Sequence, residues 1–244
     1  MYNLDKRTLY IMLGLILILM ISTSRAELLD LLLSLPGVVL AMTFHEFAHA
    51  YAAYKLGDDT AKNQGRMSLN PMAHLDPLGI LMLATVHFGW GRPVEVNPNN
   101  FNRKLTIEKG NAIVSLAGPL MNFFLAIVLT IIYYAMLIFI PGLLTTQNTI
   151  LILLFNMIIY AAIINIGLGV FNLIPIPPLD GSKIFRVLLP GKVKYWIDTN
   201  ERTIYIFFLV LWATGVLGQV VGPINTAVFG LITTVVEKVF SIFI

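Results

Sequence analysis

Long apolar runs recur along the chain at lengths that suit membrane-spanning helices. A helix needs about 20 mainly apolar residues to cross roughly 30 Å of hydrocarbon. We predict a transmembrane helix in each long run, roughly 9–24, 28–56, 110–140, 148–173, 203–222 and 224–243. The fold is therefore predicted to be an all-α polytopic membrane protein with about six transmembrane helices.

The first run has an alternative interpretation. Ser24 and Ala26, just beyond it, resemble a signal-peptidase site that would release residues 1–26. Arg25 is a poor neighbour for cleavage and a second apolar run follows at once, so we favour a retained helix.

The segment 57–109, between the second and third runs, is too long and too mixed to be a simple loop. Its stretch GILMLATVHFGWG is too short to span the bilayer but too apolar to be solvated, which predicts a re-entrant or membrane-resting element. In the RPVEV that follows, Val94 and Val96 alternate with polar residues and predict a short strand, which Pro93 restricts to a sheet edge. We therefore expect a short re-entrant or β-hairpin element here.

Composition agrees with a membrane protein and excludes some kinds of site. Of the 244 residues, 57% are hydrophobic and only 12% are charged, against about 25% charged in soluble domains. The chain has no cysteine, so disulfides and thiolate metal ligands are excluded. We interpret the net charge of +3 as the basic excess of cytoplasmic loops, not as a sign of nucleic-acid binding.

The positions of the basic residues predict the orientation. Lys and Arg are frequent in 55–109 and in 174–202, whereas 141–149 carries no charge. The positive-inside rule then places the first two segments in the cytoplasm and the third outside, and Lys6 and Arg7 put the N-terminus inside. The chain is predicted to be a multi-pass protein of the cell membrane.

The second apolar run contains HEFAH, which places three polar side chains where hydrocarbon is expected. His45 and His49 are four residues apart, so on a helix they share a face and can hold one divalent ion. Glu46 cannot easily ligate the same ion but can reach a water on it, as in the H-E-x-x-H pattern of two zinc ligands and a general base. Because ionisable groups are costly inside a membrane, we favour a metal site over histidines satisfied by packing.

A catalytic zinc needs a third protein ligand, for which the candidates are Asp180, His74, His87 and Asp76. Asp180 follows three prolines that break the helix begun at 148–173, and a chain broken at membrane depth can line a polar cavity. The alternative is an interfacial aspartate that pairs with Lys183.

The loop NPMAHLDPLG is rich in turn-forming residues. We expect His74 and Asp76 to fix this loop by hydrogen bonds. The alternative is that His74 or His87 occupies the open zinc position and blocks it until substrate arrives.

Asn122 is a further candidate site residue, since it lies four residues after Gly118 and shares a helix face with it. Its amide can hydrogen-bond either to a neighbouring helix or to a substrate backbone, and the sequence does not separate these roles.

Several motifs resemble those of the site-2 protease family of intramembrane zinc metalloproteases: HEFAH, GPLMN at 118–122 and NLIPIPPLDG at 172–181. The stretches GRMSLNPMAHLDPLG at 65–79 and FGWGRPVEVNPNNF at 88–101 resemble its compact microbial branch, which lacks PDZ and CBS domains. The resemblance covers about 40–200. It implies a single membrane-embedded domain, 1–244, with a three-helix catalytic core at about 28–190 and peripheral helices at about 9–24 and 203–243.

The resemblance also implies roles for individual residues. It implies one zinc ion per chain held by His45, His49 and Asp180, with Glu46 as the base. Asn172 is implied to lie beside the site and to hold substrate or the oxyanion, although it could equally cap a helix end.

The function predicted from these observations is zinc-dependent hydrolysis of peptide bonds within or next to transmembrane segments of protein substrates in the lipid bilayer. RPVEV could pair with the unwound substrate by strand addition, or form an ordinary hairpin. A divalent-ion transporter is less favoured, since it needs ligands along a continuous path. A silent binding module is less favoured because it needs no general base such as Glu46.

Overall fold

The computed structural model describes residues 10–14, 24–86, 89–102, 104–140 and 142–241. Residues 10–14 are helical. The α-helices that follow are α1 (Arg25–Lys55), α2 (Thr60–Asn63), α3 (Pro77–Val86), α4 (Ile107–Phe139), α5 (Thr149–Asn172), α6 (Asp180–Arg186), α7 (Gly191–Thr199), α8 (Glu201–Ala213) and α9 (Val216–Phe240). Short 3-10 turns lie at Pro71–Ala73, Pro98–Asn100 and Leu143–Thr145.

Four helices in the described part of the chain are long and apolar enough to cross a membrane, namely Glu27–Lys55, Ile107–Phe139, Thr149–Asn172 and Val216–Phe240. The first three lie where the second, third and fourth spans were predicted. The predicted span 9–24 falls largely outside the described residues. The structure therefore agrees with an all-α membrane protein.

Polar caps set the beginnings of the long helices. Ser24 and Glu27 form a capping box in which the Glu27 backbone N–H donates to Ser24 Oγ at 3.3 Å and the Ser24 N–H donates to Glu27 Oε2 at 2.7 Å. Thr106 and Asn148 cap α4 and α5 through their side-chain oxygens. These caps satisfy N–H groups that a helix otherwise leaves unpaired at its first turn.

The core of the fold is a three-helix bundle of α1, α4 and α5, as expected. α4 runs antiparallel to α1, since His45 contacts Asn122 whereas the later His49 contacts the earlier Val114. α1 and α5 pack closely at Gly37, where an added Cβ would lie 2.7 Å from the Cα of Ala161. Small residues at such crossings permit the close backbone approach on which helix packing in membranes depends.

The C-terminal part differs from the prediction of two spans at 203–222 and 224–243. α8 has 13 residues, or about 20 Å at 1.5 Å per residue, which is too short to cross the bilayer. The chain then turns at Gly215, whose φ of 74° is left-handed, and the 25-residue α9 continues through Pro223. Of these two helices only α9 is long enough to cross, and the chain breaks at Gly215 and not near residue 223, where the two predicted spans meet.

α9 runs parallel to α4. Val221 near its beginning packs against Ala126 and Ile166, and Glu237 near its end accepts a hydrogen bond from Tyr134 in the last third of α4. The end of α9 therefore lies at the end of the bundle where α4 finishes and α5 begins.

The segment 92–97 does not form a regular strand, and the described residues contain none. A single antiparallel bridge joins Leu75 and Gly91. Beyond it, side chains take the place of a partner strand: the Val94 N–H donates to Glu46, and Arg66 donates to the carbonyls of Arg92 and Pro93. Side-chain partners give no ladder, which explains why the alternating pattern did not produce a sheet.

Candidate metal centre

Two helices and a loop bring His45, His49 and Asp180 together. His45 and His49 lie one turn apart on α1, and Asp180 is the first residue of α6, after the break that ends α5. The His45 and His49 Nε2 atoms are 3.0 Å apart, and Asp180 Oδ2 lies 3.2 and 3.1 Å from them. Of the three candidate third ligands that the structure describes, Asp180, His74 and Asp76, Asp180 is the one placed with the two histidines.

Hydrogen bonds on the far side of each imidazole fix its tautomer. The Nδ1–H of His49 donates to the Val114 carbonyl at 2.7 Å. His45 Nδ1 lies 2.7 Å from Asn122 Oδ1, and this Asn122 atom is the amide oxygen because Nδ2 faces the Ala41 carbonyl and Asn165 Oδ1. Both Nδ1 atoms therefore carry the proton, and both Nε2 lone pairs point to Asp180.

This donor set fits a zinc ion. The two Nε2 atoms and the carboxylate oxygen converge at 3.0 to 3.2 Å from one another. These three electron-rich atoms repel one another unless a cation lies between them. Tetrahedral zinc with bonds of about 2.0 to 2.1 Å separates its ligand atoms by about 3.3 Å, close to the distances found. The two histidines are buried and Asp180 is half-buried, as suits a site that leaves one position open.

Two glycines allow the backbone to pass close to the metal-binding residues and to the loop that carries Asp180. A Cβ at Gly118 of α4 would lie 2.6 Å from the imidazole atoms of both histidines, so only glycine fits there. A Cβ at Gly181 would lie 2.3 Å from the Ile174 carbonyl oxygen, in the loop that leads to Asp180.

Glu46 lies at the metal centre without joining the ligand set. Its Oε2 accepts a hydrogen bond from the Val94 N–H at 2.8 Å. Its side chain lines a polar cavity of about 220 Å³ together with the two histidines, Asp180, Pro93, Val94 and Val96. A carboxylate at this position can take a proton from a water in the cavity.

The two candidate asparagines take different places. Asn172 lines the cavity, and its Nδ2 donates to the Leu168 carbonyl at 3.0 Å, which leaves the acceptor Oδ1 unused by that bond. Asn122 is fully buried, and its amide is engaged by His45, Ala41 and Asn165. In this structure Asn122 supports a ligand and makes no contact with the cavity.

Asn165 was not singled out from the sequence. It is fully buried on α5, accepts from Asn122 Nδ2 at 3.0 Å and donates to the Ala161 carbonyl at 2.8 Å. Its only sequence signal is a lone polar residue within the run AAIINIGLG.

His74 and Asp76 have partners within their own loop. His74 Nε2 lies 2.7 Å from the Ser68 carbonyl, the His74 carbonyl accepts from the Arg92 N–H, and Asp76 accepts from the Gly79 N–H. Neither belongs to the ligand cluster, so both fix the loop as expected. His87 lies outside the described residues.

The segment 92–97, beside Glu46, is held by residues that the sequence did not single out. The Arg66 guanidinium donates to the Arg92 carbonyl at 2.5 Å and to the Pro93 carbonyl at 3.1 Å. Asp58 accepts from the Asn97 N–H at 2.7 Å. Hydrogen bonds from residues that follow α1 thus hold this segment beside the metal centre.

Comparison with known proteins decides the family. The model of peptidase family M50 matches residues 34–214, a range that includes both histidines and Asp180. The chain belongs to peptidase family M50, the site-2 protease family.

Relatives within family M50 carry names that agree with the metal centre. The chain is 39% identical over 190 residues to "Putative zinc metalloprotease YwhC" of Bacillus subtilis (strain 168), covering 78% of this chain and 84% of that protein. It is 28% identical over 179 residues to "Putative zinc metalloprotease Rip2" of Mycobacterium tuberculosis (strain ATCC 25618 / H37Rv), covering 72% and 64%. No solved structure matches the chain.

Proposed function

We propose that this M50 chain is an endopeptidase that uses one zinc ion to hydrolyse peptide bonds within or next to the transmembrane segments of membrane proteins. The observation that carries the proposal is the Glu46 carboxylate, which lines the same cavity as His45, His49 and Asp180 in a bundle of helices long and apolar enough to cross a membrane.

Each residue of the site has a part in hydrolysis. His45, His49 and Asp180 hold the zinc, which supplies Lewis-acid polarisation of the scissile carbonyl and acidifies water. Glu46 accepts the proton of the attacking water at a carboxylate oxygen and delivers it to the departing amine nitrogen. Asn172, at the cavity wall, holds the substrate backbone or the developing oxyanion.

The substrate must be extended at the site, because a helical carbonyl is already hydrogen-bonded and is crowded by side chains. The segment 94–96 offers the edge on which an extended substrate can pair. The Val94 carbonyl and the Val96 N–H have no hydrogen-bond partner among the described residues, and both residues line the cavity. Pairing with such groups is how strand addition holds a peptide.

The site lies at a depth that suits substrates in the bilayer. His45 precedes the end of α1 at Lys55 by ten residues, about 15 Å along a helix. The end of α1 that follows His49 and the end of α5 that precedes Asp180 lead into the two basic segments, which we assign to the cytoplasm under the positive-inside rule. Cleavage therefore occurs in the cytoplasmic half of the cell membrane.

The proposal is tested by comparing wild type with Glu46→Gln in liposomes that contain a model transmembrane helix with Gly or Pro in its cytoplasmic half. Both proteins are expected to hold about one zinc, and the variant to lose about 10²- to 10⁴-fold in cleavage rate, the usual contribution of general acid–base catalysis. Glu237→Gln is the matched control, since it removes the charge of another carboxylate in the spans and should cleave as wild type does. Equal cleavage by Glu46→Gln, with zinc retained, would make the site a carrier or a structural clamp.

A further inference from the structure

A second, apolar cavity lies beside the metal centre and has no part in the chemistry described so far. It measures about 360 Å³ and is lined by residues of α1, α3, α5, α8 and α9 together with Gly89 and Trp90. Ligand pockets in proteins usually measure about 300–1,000 Å³. The cavity, which we call the apolar groove, therefore accommodates a few side chains and not a whole helix.

The apolar groove lies within one helical turn of the catalytic cavity along α1. Val38 and Met42 line the groove while His45 and His49 line the catalytic cavity, and the spacing of these four residues places them on one stripe of α1. On α5 two neighbouring residues also line different cavities: Phe171 lines the groove and Asn172 lines the catalytic cavity.

The segment between α3 and α4 also borders both cavities. Trp90 lines the apolar groove, and Val94, four residues later, lines the catalytic cavity and donates to Glu46. A peptide paired with 94–96 and extended past Trp90 therefore enters the groove. The groove lies on the membrane side of the metal centre, because its α1 and α5 residues are further from the helix ends that carry the ligands.

A polar group next to the groove favours a peptide over a lipid chain as its occupant. Asn225 of α9 lies one turn beyond Val221, which lines the groove, and its Nδ2 is 3.6 Å from the position of a Cβ on Gly167. Asn225 Oδ1 is buried without a hydrogen-bond partner among the described residues. An unpaired amide oxygen in a membrane is costly. Asn225 does not itself line the groove, so its oxygen becomes accessible to an occupant only when the side chain turns toward Gly167; an unwound peptide then offers it an N–H, whereas a hydrocarbon chain offers no donor.

We propose that the apolar groove receives the few substrate residues on the membrane side of the scissile bond and selects small and aliphatic side chains there. This inference rests on the proposed protease function and specifies its substrate: a transmembrane segment whose flank remains apolar up to the cleavage site. The groove holds that flank while the segment 94–96 holds the scissile bond over Glu46.

The first test fills the groove with Gly167→Leu. An added Cβ at Gly167 meets only Asn225 within 4 Å, so a larger side chain can enter without a backbone clash. For a model transmembrane substrate we expect kcat/KM to fall about tenfold or more, mainly through KM, because hydrophobic pockets discriminate by about 10- to 200-fold per methylene-sized change. A soluble peptide that lacks the membrane-side flank should be cleaved as by wild type.

Gly230→Leu is the matched control, since a Cβ there meets no atom within 4 Å. This substitution should leave the cleavage of both substrates unchanged. Unchanged cleavage of the transmembrane substrate by Gly167→Leu overturns the proposal. An equal loss for both substrates also overturns it, because the substitution would then act on the metal centre. A wild type that cleaves neither substrate contradicts the proposed function instead.

The second test needs no catalysis and uses the absence of cysteine from the chain. One variant carries Leu83→Cys in the groove, and the control carries Leu120→Cys, which lies exposed on α4 outside both cavities. Each is combined with Glu46→Gln and tested against substrates that carry single cysteines at successive positions. We expect disulfides from Leu83→Cys to a few consecutive substrate positions on the membrane side of the cleavage site. Cross-links from Leu120→Cys at the same positions, or none from Leu83→Cys, overturn the proposal.

Discussion

At the scale of single residues, the metal centre depends on groups that never touch the metal. His45 is held by Asn122, and Asn122 is held in turn by Asn165 and by the Ala41 carbonyl. His49 is held by a backbone carbonyl, which no side-chain substitution removes. The orientation of His45 is therefore sensitive to mutation of its side-chain partner, whereas the orientation of His49 depends on a backbone carbonyl of α4.

Asn122→Ala should lower zinc affinity about 10- to 100-fold, the usual effect of removing a hydrogen-bond partner of a metal-binding histidine. Asn165→Ala should have a smaller effect, because Asn122 keeps its bond to Ala41. The measurement is zinc competition against a chelator with the purified protein. Thr130→Val is the control, since Thr130 is equally buried on α4 but bonds only to its own helix. Wild-type affinity in Asn122→Ala would contradict this assignment.

At the scale of elements, the segment 92–97 owes its position to the loop after α1 and not to a sheet. Asp58 is fully buried and accepts from the Asn97 N–H, the Asn100 side chain and Thr60. Burial would raise the pKa of Asp58, but these hydrogen bonds outweigh it and lower the pKa. A carboxyl group with a lowered pKa stabilises the fold above its unfolded pKa, and that stability is lost as the pH falls through the folded pKa.

Protection of residues 97–100 from local opening should therefore be constant from neutral pH down to about pH 4, near the ordinary pKa of Asp, and should fall below it. Hydrogen exchange corrected for intrinsic rates measures this directly. Asp58→Asn should show weaker protection at neutral pH and no further loss in acid. A pH dependence in Asp58→Asn equal to that of wild type would show that another group is responsible.

At the scale of the whole molecule, the sequence predicted local patterns well and long-range contacts poorly. The four-residue spacing of His45 and His49 follows from helical geometry, and the prolines before Asp180 indicated a helix break. Asn165 was missed because its function exists only once α4 and α5 pack together. The C-terminal break was misplaced because nothing local distinguishes Gly215, which turns left-handed, from Gly218 and Gly222, which remain helical.

A crossing by α9 alone would place the residues before α8 and after α9 on opposite sides of the membrane, whereas six spans would place them on the same side. Single cysteines at Ser241, after α9, and at Asn200, before α8, should react with a membrane-impermeant maleimide from opposite sides of sealed vesicles. Leu144→Cys, between α4 and α5, should react from the same side as Ser241→Cys. Labelling of Ser241→Cys and Asn200→Cys from one side would contradict the single crossing by α9.

The central claim is that two imidazoles and one carboxylate of this chain hold one catalytic zinc. The most direct measurement is zinc content together with X-ray absorption at the zinc edge, for wild type and Asp180→Ala. We predict about one zinc in the wild type, two imidazole nitrogens and carboxylate oxygen at about 2.0 to 2.2 Å, and loss of the carboxylate ligand in Asp180→Ala. A wild-type spectrum without two imidazoles, or one that Asp180→Ala leaves unchanged, would contradict the account.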